Sequence, residues 1–425
     1  MLKPIWNPFS RYADRLEKKV DNILKKVAFT GVFESQRKVL ELMQENLVIL
    51  DLWLEARFKG YKYLHRGVRK KMYRHSQRIG EIFLDFAEKT RIDDAAVTRN
   101  LQDLGLARPS LPGDSEKLRF ITMIMLFLRP DAGRFQYLEG ASFGKLLSDP
   151  DRQQKMIGDC NQIVTFYTFL YSLKFDVKEL QIKLLKQHVC LHFKGVDIEA
   201  TAGGFANYKE FLHLLPVVEL IPTNLLDVSD FRDKQIQVNP RDLLKASQLA
   251  FNLSSERDLV TNNLKISYRN VAVAALNADD FETAVFFAEK AGTDDPETMK
   301  FLQSIYHNGV IFYAKEHDFK KARFYAGKSQ ESDLKKYVDE QEAYYEFNSG
   351  SLSRARELFQ QTGNQQMLKA CWGKEYNQVQ SRVAGIKEIA LMKSHRADYQ
   401  KMLELARKME DSALTESLRE LLGRI

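Results

Sequence analysis

Cys160, His188 and Glu199 are the residues of this 425-residue chain best suited to covalent chemistry, because they supply in order a nucleophile, a base and a carboxylate to orient the base. Cysteine attacks carbonyl carbon as a thiolate, a form favoured at the positive end of a helix. Gly158-Asp159-Cys160 offers that position, since Asp159 is a good N-cap and the apolar-rich run from Ile163 to Leu173 follows as a buried helix. The backbone N–H of Cys160 then serves as an oxyanion donor, one that any nucleophile at a helix N-terminus carries.

The base and the acid are positioned by strands. Leu180 to Leu185 and HVCLHF (188–193) are rich in apolar and β-branched residues and too short for helices. Lys194-Gly195 is a two-residue turn, and Val196 to Thr201 is the return strand. That hairpin pairs Phe193 with Val196, Cys190 with Glu199, and His188 with Thr201. Period-two alternation puts His188, Cys190 and His192 on one face with Asp197 and Glu199. Glu199 becomes the diagonal neighbour of His188, within reach of a long side chain, and Asp197 is the fallback acid. The same alternation of His188, Cys190 and His192 allows a competing reading as zinc ligands, although no CxxC or HExxH pattern accompanies it.

A cysteine opening a helix, then His-Val-x on one strand, then acid-Ala-Thr on the next (Glu199-Ala200-Thr201) resembles the transglutaminase-like branch of the papain-like cysteine enzymes. The resemblance covers the middle third of the chain. It implies a helix packed on a small antiparallel sheet, with Cys160 as nucleophile, His188 as base and Glu199 as the acid, and a side-chain amide upstream of the cysteine completing the oxyanion hole, for which Gln136 and Gln154 are the candidates. Two departures stand out: Glu199 replaces the family's usual Asp, and Cys190 stands where the family often has Trp. The activity implied is acyl transfer from amide bonds of a peptide or protein, to water as hydrolysis or to an amine as transamidation. No cofactor and no metal are called for.

Composition sets the wider frame. A chain of 425 residues is too long for one compact core and predicts two or three domains. No apolar run is long enough to span a bilayer, and the N-terminus lacks the pattern of a secretory signal, so a cytoplasmic location is expected by default. Three widely spaced cysteines argue against a disulfide framework. The net charge of +7 is uneven: residues 1 to 80 hold eighteen Lys and Arg against eight Asp and Glu. This basic N-terminal region, residues 1–108, reads as amphipathic helices over about 10–30, 36–59 and 61–92. Its basic residues interleave with Tyr61, Tyr63 and Tyr73, a composition that suits nucleic acid or an anionic membrane, but a solvated helix face is the favoured reading.

Prolines and a glycine near Arg108 to Glu116 mark the first boundary, so the cysteine-bearing domain is expected over 113–238. From Pro240 to the end the pattern is helical, and three segments align without gaps: NADDFETAVFFAEKA (277–291), KEHDFKKARFYAGKS (315–329) and NSGSLSRARELFQQT (348–362). Their Ala284, Ala322 and Ala355 correspond. A small residue recurring where helices cross, at a period near 34, resembles tetratricopeptide repeats, whose usual role is to bind a peptide or protein partner. The expected fold is therefore α+β with a C-terminal helical-repeat domain over 240–425. The alternative function is a catalytically inactive scaffold that binds protein partners through those repeats.

Overall fold

Leu16, Val20 and Leu24 recur at helical spacing, and all three are buried along α1 (Arg15–Leu24), which Asp14 caps through its side chain. This computed structural model describes residues 10–107, 112–152, 155–227 and 239–425. Contacts divide the chain into two compact units, Met1–Ala274 and Ala275–Ile425.

In the first unit, α2 (Val32–Arg57) carries the apolar run from Leu47 to Leu54. Asn46 interrupts it with extended backbone and caps the second half by accepting from Ile49 N–H at 3.0 Å. That half is almost wholly buried. Helices α3 (Arg66–Lys89), α4 (Asp94–Asp103) and α5 (Pro112–Leu128) follow, and then the short α6 (Phe143–Leu146). Strands β1 (Phe135–Tyr137) and β2 (Met156–Gly158) pair in parallel and deliver the chain to α7 (Cys160–Ser172). Five further strands form one antiparallel sheet: β3 (Gln181–Leu185), β4 (His188–Phe193), β5 (Val196–Glu199), β6 (Gly204–Ala206) and β7 (His213–Pro216), in the order β6-β5-β4-β3-β7. Val189, Leu191 and Phe193 line the apolar face of β4, and Phe193 meets Tyr171 of α7 with ring centroids 6.5 Å apart. Helices α8 (Leu220–Leu226), α9 (Pro240–Leu253) and α10 (Arg257–Leu276) complete this part of the chain.

One hydrophobic core runs from Leu16 through Trp53, Ile124, Ile163 and Ile198 to Leu253. The N-terminal helices are thus built into the same unit as the cysteine helix, which corrects the expected division into 1–108 and 113–238. The cause is the second half of α2, whose Leu47, Leu50 and Leu52 are fully buried and pack with the elements around α7. The second expected boundary, at Pro240, also moves: the units part after Ala274, because α9 joins the first core through Ala246, Leu249 and Leu253. The segment HLLPVVELIP (213–222) forms the single strand β7, a turn of 3-10 helix and the start of α8.

The second unit is helical, and the aligned segments recur in structure. Helices α11 (Phe281–Ala291), α12 (Pro296–Lys315), α13 (Phe319–Lys328), α14 (Asp333–Ser349), α15 (Leu352–Thr362) and α16 (Gln365–Val383) alternate short and long. Ala284, Ala322 and Ala355 are each fully buried. The backbone turns left-handed two residues before each short helix, at Asp279, His317 and Gly350. Asp280 and Asp318 then cap their helices by accepting from Thr283 and Lys321 N–H. Helices α17 (Ile389–Ser394), α18 (Arg396–Met409) and α19 (Ser412–Arg424) finish the chain around Tyr399, Met402 and Leu405.

Candidate functional site

Cys160 is the first residue of α7, with Asp159 as N-cap. The carboxylate of Asp159 accepts from Asn161 N–H at 2.9 Å and Gln162 N–H at 3.4 Å, while Gln162 Oε1 accepts from Asp159 N–H at 3.1 Å. This reciprocal capping box contributes about 1 kcal/mol to the helix and leaves the Cys160 N–H outside the cap. Gly158 is required by close packing, since a Cβ there would sit 2.9 Å from Leu146 Cγ. Burial, followed by the charge of Asp227, raises the Asp159 carboxyl to about 7. Gln162 Nε2 ties this cap to Asp227 Oδ2 at 2.9 Å.

The hairpin carries the base in the expected register. Lys194 and Gly195 both have positive φ, 50° and 87°, as a type I′ turn demands, and Phe193 pairs with Val196, His192 with Asp197 and Leu191 with Ile198. His188 Nε2 donates to Glu199 Oε2 across 2.7 Å. With Nε2 engaged by Glu199, Nδ1 is the ring nitrogen outside that bond. Interaction with the Cys160 side chain, followed by that with Glu199, raises His188 to about 10, so the imidazole is cationic at neutral pH. Burial would raise Glu199, but hydrogen bonds from His188, Thr201 and Tyr208 outweigh it and hold the carboxyl at about 2. The Tyr208 hydroxyl donates to Glu199 Oε2 at 2.7 Å, and Thr201 N–H to Oε1 at 3.1 Å.

Asp197 is occupied elsewhere. Its Oδ1 accepts from His192 Nδ1 at 2.6 Å and from Lys183 Nζ at 2.6 Å, and its Oδ2 accepts from Tyr208 N–H at 2.8 Å. It therefore does not serve His188, which corrects its place as fallback acid. The other nitrogen of His192 accepts from Gly195 N–H at 3.1 Å. Because His188 and His192 each hold a separate carboxylate, the strand does not offer them jointly to zinc. Among the described residues no group of three or more His, Cys, Asp or Glu side chains is arranged to hold a metal ion.

Of the upstream amides, Gln154 lies outside the described residues. Gln136 is exposed on β1, opposite Ile157 in register. Its neighbour Tyr137 is the side chain that senses the sulfur: burial, then the Cys160 and Asp159 charges, raises the phenol above its usual range. Strand alternation turns Gln136 the other way, so this candidate is not brought to Cys160.

Sequence reasoning missed Tyr208, Tyr137 and Lys183. Tyr208 lies in the connection between β6 and β7, where no periodicity announces a role. Lys183 was legible in principle, as a charge in an apolar strand run two residues before Leu185. A second missed feature is the fully buried hydroxyl of Tyr167, which has no hydrogen-bond partner and feels the charge of Glu199.

Comparison with known proteins adds no relatives: no family model, curated protein or solved structure matches the chain.

Proposed function

We propose that this protein is a cysteine-dependent acyl-transfer enzyme of transglutaminase-like kind, acting on amide bonds of peptides or proteins. The observation that carries the reading is the linked set of Cys160 at a helix start, an imidazole cationic beside it, and Glu199 at 2.7 Å from that imidazole. A cation beside a sulfur at a helix N-terminus is the setting in which thiolates act as nucleophiles.

In the reaction, Cys160 Sγ attacks the amide carbonyl carbon and a C–S bond forms as the carbonyl becomes an oxyanion. The Cys160 N–H donates to that oxyanion. His188 passes its proton to the amine nitrogen, and the C–N bond breaks to leave a thioester. Water or a second amine, deprotonated by His188, then attacks the thioester. The products are a carboxylic acid or a new amide, with the thiol restored. Glu199 keeps the imidazole in the required tautomer and stabilises its cation throughout. The helical C-terminal unit supplies a surface for a protein partner, as stacked helix pairs do.

The test is to trap the acyl-enzyme. Brief incubation of the full chain with an activated acyl ester, followed by peptide mass mapping, is expected to place one acyl group on the peptide containing Cys160. The adduct should vanish in Cys160→Ser and form at least ~100-fold more slowly in His188→Ala. Acylation spread over lysines, or equal acylation of Cys160 in wild type and His188→Ala, would leave the non-catalytic scaffold as the better reading.

A further inference from the structure

The basic N-terminal helices enclose a groove that the cysteine chemistry does not use. It lies between α1 and the start of α2, has a volume of about 570 Å³, and is lined by Arg15, Lys18, Lys19, Lys26 and Lys38 with one carboxylate, Glu41. Glu41 is paired with Arg37, Lys19 with Glu45, and Lys38 with Glu34. Arg15, Lys18 and Lys26 make no ion pair among the described residues. Ser35 also lines the groove. It is 1% exposed, and its Oγ has no hydrogen-bond partner. A buried hydroxyl left unpaired costs about 1–3 kcal/mol, a cost that an acceptor entering the groove would relieve.

Beside the groove the chain projects two phenylalanines. Phe29, at the end of the 3-10 turn Val27–Phe29, is 91% exposed, and Phe33, in the first turn of α2, is 83% exposed. They are the most exposed large hydrophobic side chains among the described residues. Gly31 between them provides no side-chain cap, so the first-turn N–H groups of α2 also face outward uncapped. Two bare aromatic rings next to unpaired cations match a surface whose charge lies at the head-group level and whose apolar phase lies just beneath.

We infer that the α1–α2 tip docks on anionic phospholipid membranes, with Phe29 and Phe33 entering the acyl boundary and a lipid phosphate held by Lys18, Lys26 and Ser35. This inference is independent of the cysteine chemistry. Free phosphate and nucleic acid share the phosphate chemistry, but neither provides an apolar layer for the phenylalanines.

The experiment is vesicle co-sedimentation of the full chain, with phosphatidylcholine alone and with one-third phosphatidylglycerol. Binding is expected only with the anionic vesicles and should weaken steeply as salt rises above ~0.1 M. Lys18→Gln with Lys26→Gln should lower partitioning about 30-fold, from roughly five-fold for each cation near the surface. Phe29→Ser with Phe33→Ser should lower it about ten-fold, and Ser35→Ala about three-fold. Circular dichroism confirms that these variants fold, and the first two pairs alter only exposed side chains. The inference is overturned by equal binding to neutral vesicles, by no vesicle binding, or by anionic binding that survives both double variants. It is equally overturned if Lys18 and Lys26 govern binding of a single-stranded oligonucleotide or of inorganic phosphate while vesicles are ignored.

Discussion

Two histidine–carboxylate pairs share one face of the β4–β5 hairpin, their histidines four residues apart and their carboxylates two, and they put similar bonds to opposite uses, one through His188 Nε2 and one through His192 Nδ1. His188 with Glu199 and His192 with Asp197 close at 2.7 and 2.6 Å. The second pair is saturated: Lys183 neutralises Asp197, Gly195 N–H occupies the remaining imidazole nitrogen, and the side chains of His192 and Asp197 are 10% and 2% exposed. In the first pair one ring nitrogen lies outside the carboxylate bond, the His188 imidazole interacts with the Cys160 side chain, and the His188 side chain is 27% exposed. A histidine–carboxylate bond therefore does not by itself mark a reacting group. What distinguishes the two is whether the second ring nitrogen is already engaged.

The sharpest break between the pairs comes from deleting each histidine. His188→Ala is expected to slow acylation of Cys160 by at least ~100-fold while leaving the fold intact. His192→Ala should leave the rate within about three-fold, with a loss of roughly 1–3 kcal/mol in urea unfolding from the unpaired polar groups it strands. Next come the carboxylates. Asp197→Asn leaves the buried Lys183 ammonium without its counter-charge and should cost about 3–5 kcal/mol in denaturant midpoint analysis. Glu199→Gln should mainly cost rate, about 10²-fold, because the imidazole loses the charge that stabilises its cation. If Asp197→Asn abolished acylation without destabilising, the assignment of the two pairs would be reversed.

The hairpin was the most legible part of this arrangement. Lys194-Gly195 demands positive φ twice, and once that turn is set the period of two carries the register outward to His188 and Glu199. Asp159 as the cap of the Cys160 helix was legible for the same reason, since capping is decided within four residues. The recurring Ala284, Ala322 and Ala355 likewise announced buried positions, one on each of α11, α13 and α15. Long-range choices were not legible. Nothing local says that Asp197 of β5 is claimed by Lys183 of β3, two strands across the sheet, or that Tyr208 returns to Glu199. The three-residue strands β1 and β2 are too short to show a period, and the burial of the second half of α2 beneath α7 is a tertiary fact that its own amphipathic reading cannot contain.

A smaller effect separates the support of the nucleophile from the chemistry. Gly158→Ala places a methyl 2.9 Å from Leu146 Cγ and should destabilise by about 1–3 kcal/mol, read by thermal unfolding. Tyr208→Phe removes one of the hydrogen bonds that hold Glu199 low, and should slow acylation about five-fold.

The smallest expected effect is on the pH dependence of stability. His188 is raised, so its contribution is complete below 6.5 and declines as pH climbs toward about 10. Glu199 is lowered, so its contribution is complete above 4.5 and declines as pH falls toward about 2. The difference in Tm between wild type and Glu199→Gln should therefore be greatest between those two bounds and shrink on both sides. A difference that keeps growing above pH 8 would contradict the pairing.

The most direct measurement of the central claim is the pH–rate profile for alkylation of Cys160 by iodoacetamide, followed by mass spectrometry in wild type, His188→Ala and His192→Ala. The expected result is fast labelling of Cys160 already at neutral pH in wild type and in His192→Ala, slowed at least ~30-fold in His188→Ala. Labelling of Cys160 with the rate and pH dependence of an unassisted thiol in all three proteins would contradict it.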